Sequence, residues 1–196
     1  GVRLSLPAPQ IDYWRRQNFS GVFCYHSLMT ERILLQPPEI AETGDQPVIF
    51  LAGPIQGGPE WQTEAANLIH DLDPRLIVAS PRRKYPEGTF VYERQVDWEA
   101  HFLRAAGRNG VVAFWLAAQI EETPGRAYAQ TTRFELAEWK MRHEYEDAKL
   151  TIGIEDGFGN ARYIRRRFSQ DAPGVKIADT LEELSRNAVD LARASR

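Results

Sequence analysis

One stretch limits the folds open to this chain: Val48-Ile49-Phe50-Leu51-Ala52-Gly53-Pro54-Ile55-Gln56-Gly57-Gly58. Its unbroken apolar start, closed by turn formers, fits a strand covered on both faces. Glu60-Trp61-Gln62-Thr63-Glu64-Ala65-Ala66-Asn67-Leu68-Ile69 follows with helical spacing. It predicts a helix over about 59–72, stopped by Asp73-Pro74. Strand, glycine turn and helix form the opening unit of an α/β sheet. Ligands of such sheets bind beyond the carboxyl ends of the strands, often against N–H groups at a helix start. The glycines follow neither the dinucleotide spacing nor a Lys-Ser/Thr phosphate loop.

The alternation continues along the chain. Apolar runs at 76–79, 110–116 and 150–154 read as buried strands, and 175–177 as a short one. Residues 92–107 have helical spacing with Val96, Trp98, Phe102, Leu103 and Ala106 inward. Thr131 and Thr132 stand where they would cap a helix running from 131. Residues 161–168 read as a short helix. A closing helix over 180–194 has Thr180 as its cap and Glu183 three residues on. Strands alternating with helices give a parallel sheet with helices on both faces. Arg32 to Gln36 is a further short strand. Residues 1–30, irregular but aromatic, read as an extension outside a single α/β domain over 31–196.

Composition removes several classes of function. The formal charge is −3, so no large basic surface calls for nucleic acid, and the local run Arg162–Arg167 reads as a solvated helix face. The single cysteine, Cys24, excludes an internal disulfide framework and a multi-cysteine metal site. It fits a reducing, cytoplasmic setting. The four histidines lack ligand spacing, so neither a metal nor a cofactor is expected. No apolar run reaches the length of a membrane span.

In a sheet of this kind the strand-end loops meet at one edge. That edge collects Gly53, Pro54 and Gln56 from the first turn, Arg82 and Arg83 from the second loop, and Gln95, Asp97 and Glu99 from the next helix. It also collects the loop from Ala117 to Gln130 and, past it, Glu135. Facing carboxylates split their pKa values, one ionised and one protonated. Such a pair suits reaction at an anomeric carbon. Glu135, framed by Phe134, Leu136 and Ala137, is expected to be ionised and aimed into the cleft, with Glu138 as its solvent-facing counterpart. Asp97 and Glu99 flank Trp98 and face different sides of a helix, so at most one reaches the cleft.

The same residues carry a likeness. With Ile49–Ile55 and Trp61-Gln62, Ser80-Pro81-Arg82-Arg83, Gln95-Val96-Asp97-Trp98-Glu99, and Phe134-Glu135-Leu136-Ala137, the chain resembles the nucleoside 2-deoxyribosyltransferase-like family over about residues 31–168. The resemblance implies a flavodoxin-like three-layer fold, with a mostly parallel five-stranded sheet, assembled into homo-oligomers. It implies glycosyl transfer or N-glycosidic cleavage on a nucleoside-type substrate. Glu135 would be the nucleophile, and Glu99 or else Asp97 the acid near the leaving base. Gly53, Pro54 and Gln56 would form the ligand loop, and Gly157 and Asn160 would reach a neighbouring subunit's site. Three positions depart from the family pattern. Phe50 stands where relatives often have tyrosine, Tyr128-Ala129-Gln130-Thr131-Thr132 lacks the usual aspartate, and Ala137 replaces a glycine. Tyr128 is the candidate to supply a hydroxyl instead. Two alternatives stay open: a nucleoside 5′-monophosphate N-glycosidase with Arg82 or Arg83 on the phosphate, and a non-catalytic nucleotide-binding module.

Overall fold

The computed structural model describes residues 32–82 and 88–195. The expected extension over 1–30, with Cys24, lies outside the described residues, as does Arg83. Eleven elements follow one another along the described chain, strand and helix alternating from the second strand onward. They are β1 (Ile33–Leu35), β2 (Val48–Ala52), α1 (Gln62–Leu72), β3 (Ile77–Ala79), α2 (Tyr92–Arg108), β4 (Gly110–Leu116), α3 (Gln130–Glu146), β5 (Leu150–Ile154), α4 (Ala161–Asp171), β6 (Ile177–Ala178) and α5 (Leu181–Arg193).

All strand pairs are parallel, in the order β1-β3-β2-β4-β5-β6. From β2 onward this is the doubly wound, flavodoxin-like order, in which the chain runs outward first to one side of β2 and then to the other. The sheet has six strands among the described residues rather than five. The extra one is β1, whose Ile33, Leu34 and Leu35 align with Ile77, Val78 and Ala79 at the open side of β3. No helix among the described residues is long and apolar enough to cross a membrane.

The strict period of two along each strand builds two cores. Phe50, Val112, Phe114, Leu116 and Ile152 face α2, α3 and α4, where Trp98, Phe102, Trp139, Ile164 and Phe168 meet them. Ile49, Leu51, Val111, Ala113 and Trp115 face α1 and α5, meeting Trp61, Ala65, Ile69, Leu184 and Val189. Every residue of β2 and β4 is buried, which explains why those strands read as continuous apolar runs.

Local signals were followed in part. Thr180 Oγ1 accepts from the Glu183 N–H at 3.2 Å, and the Glu183 carboxylate accepts from the Asp179 N–H at 3.1 Å. The expected threonine cap of α3 is absent. That helix starts one residue earlier, behind Ala129 in the left-handed region (φ 55°), with no side-chain cap. Val96 is not a core residue; it is partly exposed at the wall of the cavity described below.

Asp73, which ends α1, ties distant parts of the fold together. Its buried carboxylate accepts from the Arg75 N–H at 3.1 Å, from Arg75 Nε at 2.9 Å and from Arg193 Nε of α5 at 3.3 Å. The Arg75 hydrogen bonds hold its pKa well below the usual carboxylate range, against the opposing effect of burial. A depressed carboxylate adds stability above its unfolded pKa of about 4 and loses it as pH falls further. Asp73→Asn is expected to cost about 2 kcal/mol at pH 7 and to flatten the loss of stability below pH ~4. Urea melts of both proteins between pH 3 and 7 check this; parallel pH profiles would contradict it.

Candidate active site

At the C-terminal ends of β2 and β4, where the order of strands reverses, a cavity of about 490 Å³ opens. This is the crevice that doubly wound topology leaves for a ligand, and the volume fits a small organic molecule. Phe50, Ala52, Gly53, Pro54, Ile55 and Gln56 come from β2 and its turn. Pro81 and Arg82 come from the end of β3, and Phe90, Tyr92, Gln95, Val96 and Glu99 from the start of α2 and the residues before it. The long loop after β4 adds Gln119, Thr123, Arg126 and Tyr128, and α3 adds Gln130, Thr131, Thr132 and Glu135.

The turn after β2 is built around close approach. Gly53 has φ 155°, and a Cβ there would stand 2.3 Å from the Trp115 carbonyl oxygen and 2.7 Å from the Trp61 ring. Only glycine lets the turn press against β4 in this way. Trp61 Nε1 donates to the Pro54 carbonyl at 3.1 Å and Gln62 Nε2 to the same oxygen at 3.4 Å, so the Trp-Gln pair fixes the turn from behind. The Ile120 and Glu121 N–H groups both reach the Gly57 carbonyl, at 2.9 and 3.1 Å. Arg126 Nη1 donates to Gln56 Oε1 at 2.6 Å. The turn and the long loop are therefore fastened to each other.

Glu135, in the second turn of α3, lines the cavity, and among the described residues it has no hydrogen-bond donor. Burial, the facing charge of Glu99 and, less, that of Glu138 push its carboxyl up to about 8. This works against the expectation of an ionised Glu135 and favours its protonated form. Desolvation outweighs the favourable field of the helix start. Glu99 is also raised by burial, but Gln95 works against that shift, with Nε2 2.7 Å from Glu99 Oε1. Glu138 is exposed and pairs with Arg142 at 2.9 Å, as expected of a solvent-facing neighbour.

The structure brings together Gly53, Pro54, Gln56, Arg82, Gln95, Glu99, Tyr128 and Glu135. It leaves out Asp97, which is exposed and off the cavity wall, because two residues along a helix turn a side chain by about 200°. Gly157 and Asn160 are exposed at the turn before α4, with Asn160 in the left-handed region (φ 66°), and they do not line this cavity. Arg82 is already engaged: Nη1 donates to the Pro59 carbonyl and to Gln62 Oε1, both at 3.3 Å, and Nε lies 3.5 Å from Glu60. The Tyr128 hydroxyl donates to the Ala117 carbonyl at 2.8 Å, and burial raises its pKa to about 12. Arg126 is a cavity residue that the sequence reading missed. It sits in a loop with no periodicity, and its only mark is its neighbour Gly125.

Among the described residues no group of three or more His, Cys, Asp or Glu is placed to hold a metal ion. In comparisons with known proteins, no family model matches the chain, and no curated protein matches it significantly.

Proposed function

We propose that this cavity carries out glycosyl chemistry on a nucleoside-type substrate, as the resemblance to nucleoside 2-deoxyribosyltransferase-like proteins implies. The observation that carries the reading is the pair Glu135 and Glu99. They come from different helices, line one cavity at the strand-order reversal, and have carboxyls that burial shifts upward by unequal amounts. One carboxylate to attack and a second, protonated carboxyl to assist the leaving group suit cleavage of a glycosidic bond. The Glu135 carboxylate attacks the anomeric carbon as the bond to the base breaks. The bonding electrons leave with the base, which takes a proton by way of Glu99. Water or a second base then displaces Glu135 from the sugar. With the Glu135 carboxyl pushed up to about 8, its proton must pass to Glu99 or to the base before attack. Phe50, Phe90, Tyr92 and Tyr128 give the apolar walls on which a planar base would lie.

The test is base release from a panel of ribo- and deoxyribonucleosides and their monophosphates, with and without a free acceptor base, followed by chromatography. Release from at least one nucleoside is expected. Tight binding with no product after long incubation would instead favour a non-catalytic nucleotide-binding module. A monophosphate-specific N-glycosidase is favoured by one observation, the guanidinium of Arg126 on the cavity wall. It predicts that monophosphates outpace nucleosides. A small nucleoside-type partner fits a cytoplasmic setting.

We also propose that the chain self-associates through α3. Phe134, Met141 and Tyr145 are 74%, 51% and 77% exposed and share one side of the helix that carries Glu135. Sedimentation is expected to show a dimer or larger species, and Met141→Lys to weaken it at least about tenfold. A parent protein that sediments as a monomer at micromolar concentration would exclude it.

A further inference from the structure

The hydrogen bonds of Gln95, on the cavity wall, have a direction fixed by chemistry. Its side-chain nitrogen donates to the Pro81 carbonyl at 3.0 Å and to Glu99 Oε1 at 2.7 Å. A carbonyl oxygen only accepts, so Pro81 fixes which end of the amide carries the N–H groups. The same nitrogen only donates, so the Glu99 oxygen facing it must accept. That arrangement favours an unprotonated Glu99. Gln95 and Glu99 stand one helical turn apart on α2, so the contact is built into the helix and needs no ligand to form. Glu135, across the cavity, has no donor among the described residues, and an unbonded carboxylate is costly to charge out of water.

We propose that Gln95 is a positioning residue: anchored on Pro81, it keeps the negative charge of the carboxylate pair on Glu99 and the shared proton on Glu135 until substrate is bound. This rests on the glycosyl-chemistry reading for its catalytic meaning. The nucleophile then waits in a masked, neutral form, and the carboxylate pair presents a single negative charge, on Glu99, to an entering ligand. Gln95 acts through Glu99 and need not touch the reacting atoms.

Among the described residues, the other charged and titratable groups around the pair leave this role to Gln95. From α3, Glu138 is the charged group that acts on Glu135, and it is exposed and paired with Arg142. From the end of β3, Arg82 is committed to Glu60 and Gln62. From the loop after β4, Arg126 bonds Gln56, and the Tyr128 hydroxyl bonds the Ala117 carbonyl. On α2 itself Tyr92 lies on the wall, and β2 contributes Phe50 and Ala52, which do not titrate.

The test uses the full chain with carboxyl-labelled glutamate, titrated by nuclear magnetic resonance. Glu99→Gln and Glu135→Gln assign the two signals. In Gln95→Met, which keeps the length and removes the donor, the Glu99 midpoint is expected to rise by about one pH unit and that of Glu135 to fall. In Gln95→Lys, which restores a donor and adds charge, the Glu99 midpoint is expected to fall below that of the parent. A residue that merely packs would not drive the two variants in opposite directions. Midpoints unchanged in both variants, or moving the same way in both, would overturn the proposal. The alkaline limb of the pH–rate profile for base release should follow the Glu135 midpoint in each variant, because loss of the shared proton leaves none for the departing base, and the acid limb should follow that of Glu99. Titrations that behave as expected in a protein that releases no base would leave the proton placement standing and remove the glycosyl reading.

Discussion

Glu135→Gln is expected to reduce base release by at least about 10³-fold, or ~4 kcal/mol in the barrier, while leaving the protein folded. The amide keeps the shape of the carboxyl but has neither the charge to attack carbon nor a proton to give up. Glu135 has no hydrogen-bond donor among the described residues, so the substitution orphans no partner. Its effect on stability has a definite sign. A carboxyl whose folded pKa lies near 8, well above the unfolded value of about 4, makes the native state bind more protons than the unfolded chain between those limits. Parent stability therefore falls as pH rises through that window. The amide does not titrate, so the variant should lose less stability between pH 5 and 9. Chemical denaturation at both pH values, beside the chromatographic assay, separates a dead but sound protein from a damaged one. Base release at the parent's rate would remove Glu135 from the chemistry.

Gly110→Ala is expected to destabilise the protein by about 3 kcal/mol or more, a fall in Tm of roughly 6–12 °C for a chain of this size. Gly110 opens β4 opposite Val48, at φ 158°. A Cβ there would stand 2.0 Å from the Val48 carbonyl oxygen and 2.7 Å from its nitrogen. Those atoms belong to the backbone of a neighbouring central strand, so no side chain can swing aside to make room. The clash lies at the opposite end of the strands from the cavity. Base release per folded molecule should therefore stay close to the parent's at low temperature. A melting point within 2 °C, a shift worth less than about 1 kcal/mol, would show that the sheet can absorb the methyl group.

Much of the fold was legible because it depends on pattern. Val48–Ala52 and Gly110–Leu116 are apolar without interruption because both their faces are covered, and the 92–107 spacing gave α2 nearly to the residue. The start of α3 was not legible in that way. Nothing in Ala129 announces a left-handed residue, and the threonines beside it are good caps only if the chain enters from another direction. Within the candidate site, Glu135 stood out as a carboxylate in an apolar frame near a strand end. Helix rotation allowed at most one of Asp97 and Glu99 to turn inward and left open which. The hydroxyl of Tyr128 looked available in the sequence because its acceptor, the Ala117 carbonyl, belongs to the backbone. The protonation of Glu135 was out of reach, since it depends on how much water the folded cavity removes and on which neighbour is charged.

The shared anchorage on the Gly57 carbonyl has a consequence for affinity. Loops of this length normally surrender freedom when a small molecule arrives, and that loss is subtracted from the binding free energy. Here the two amides that grip one oxygen, with the Arg126 clasp beside them, have already frozen the segment at its middle. Its ordering is settled when the protein folds, so contacts a guest makes with that side of the chamber count toward holding it at nearly full strength.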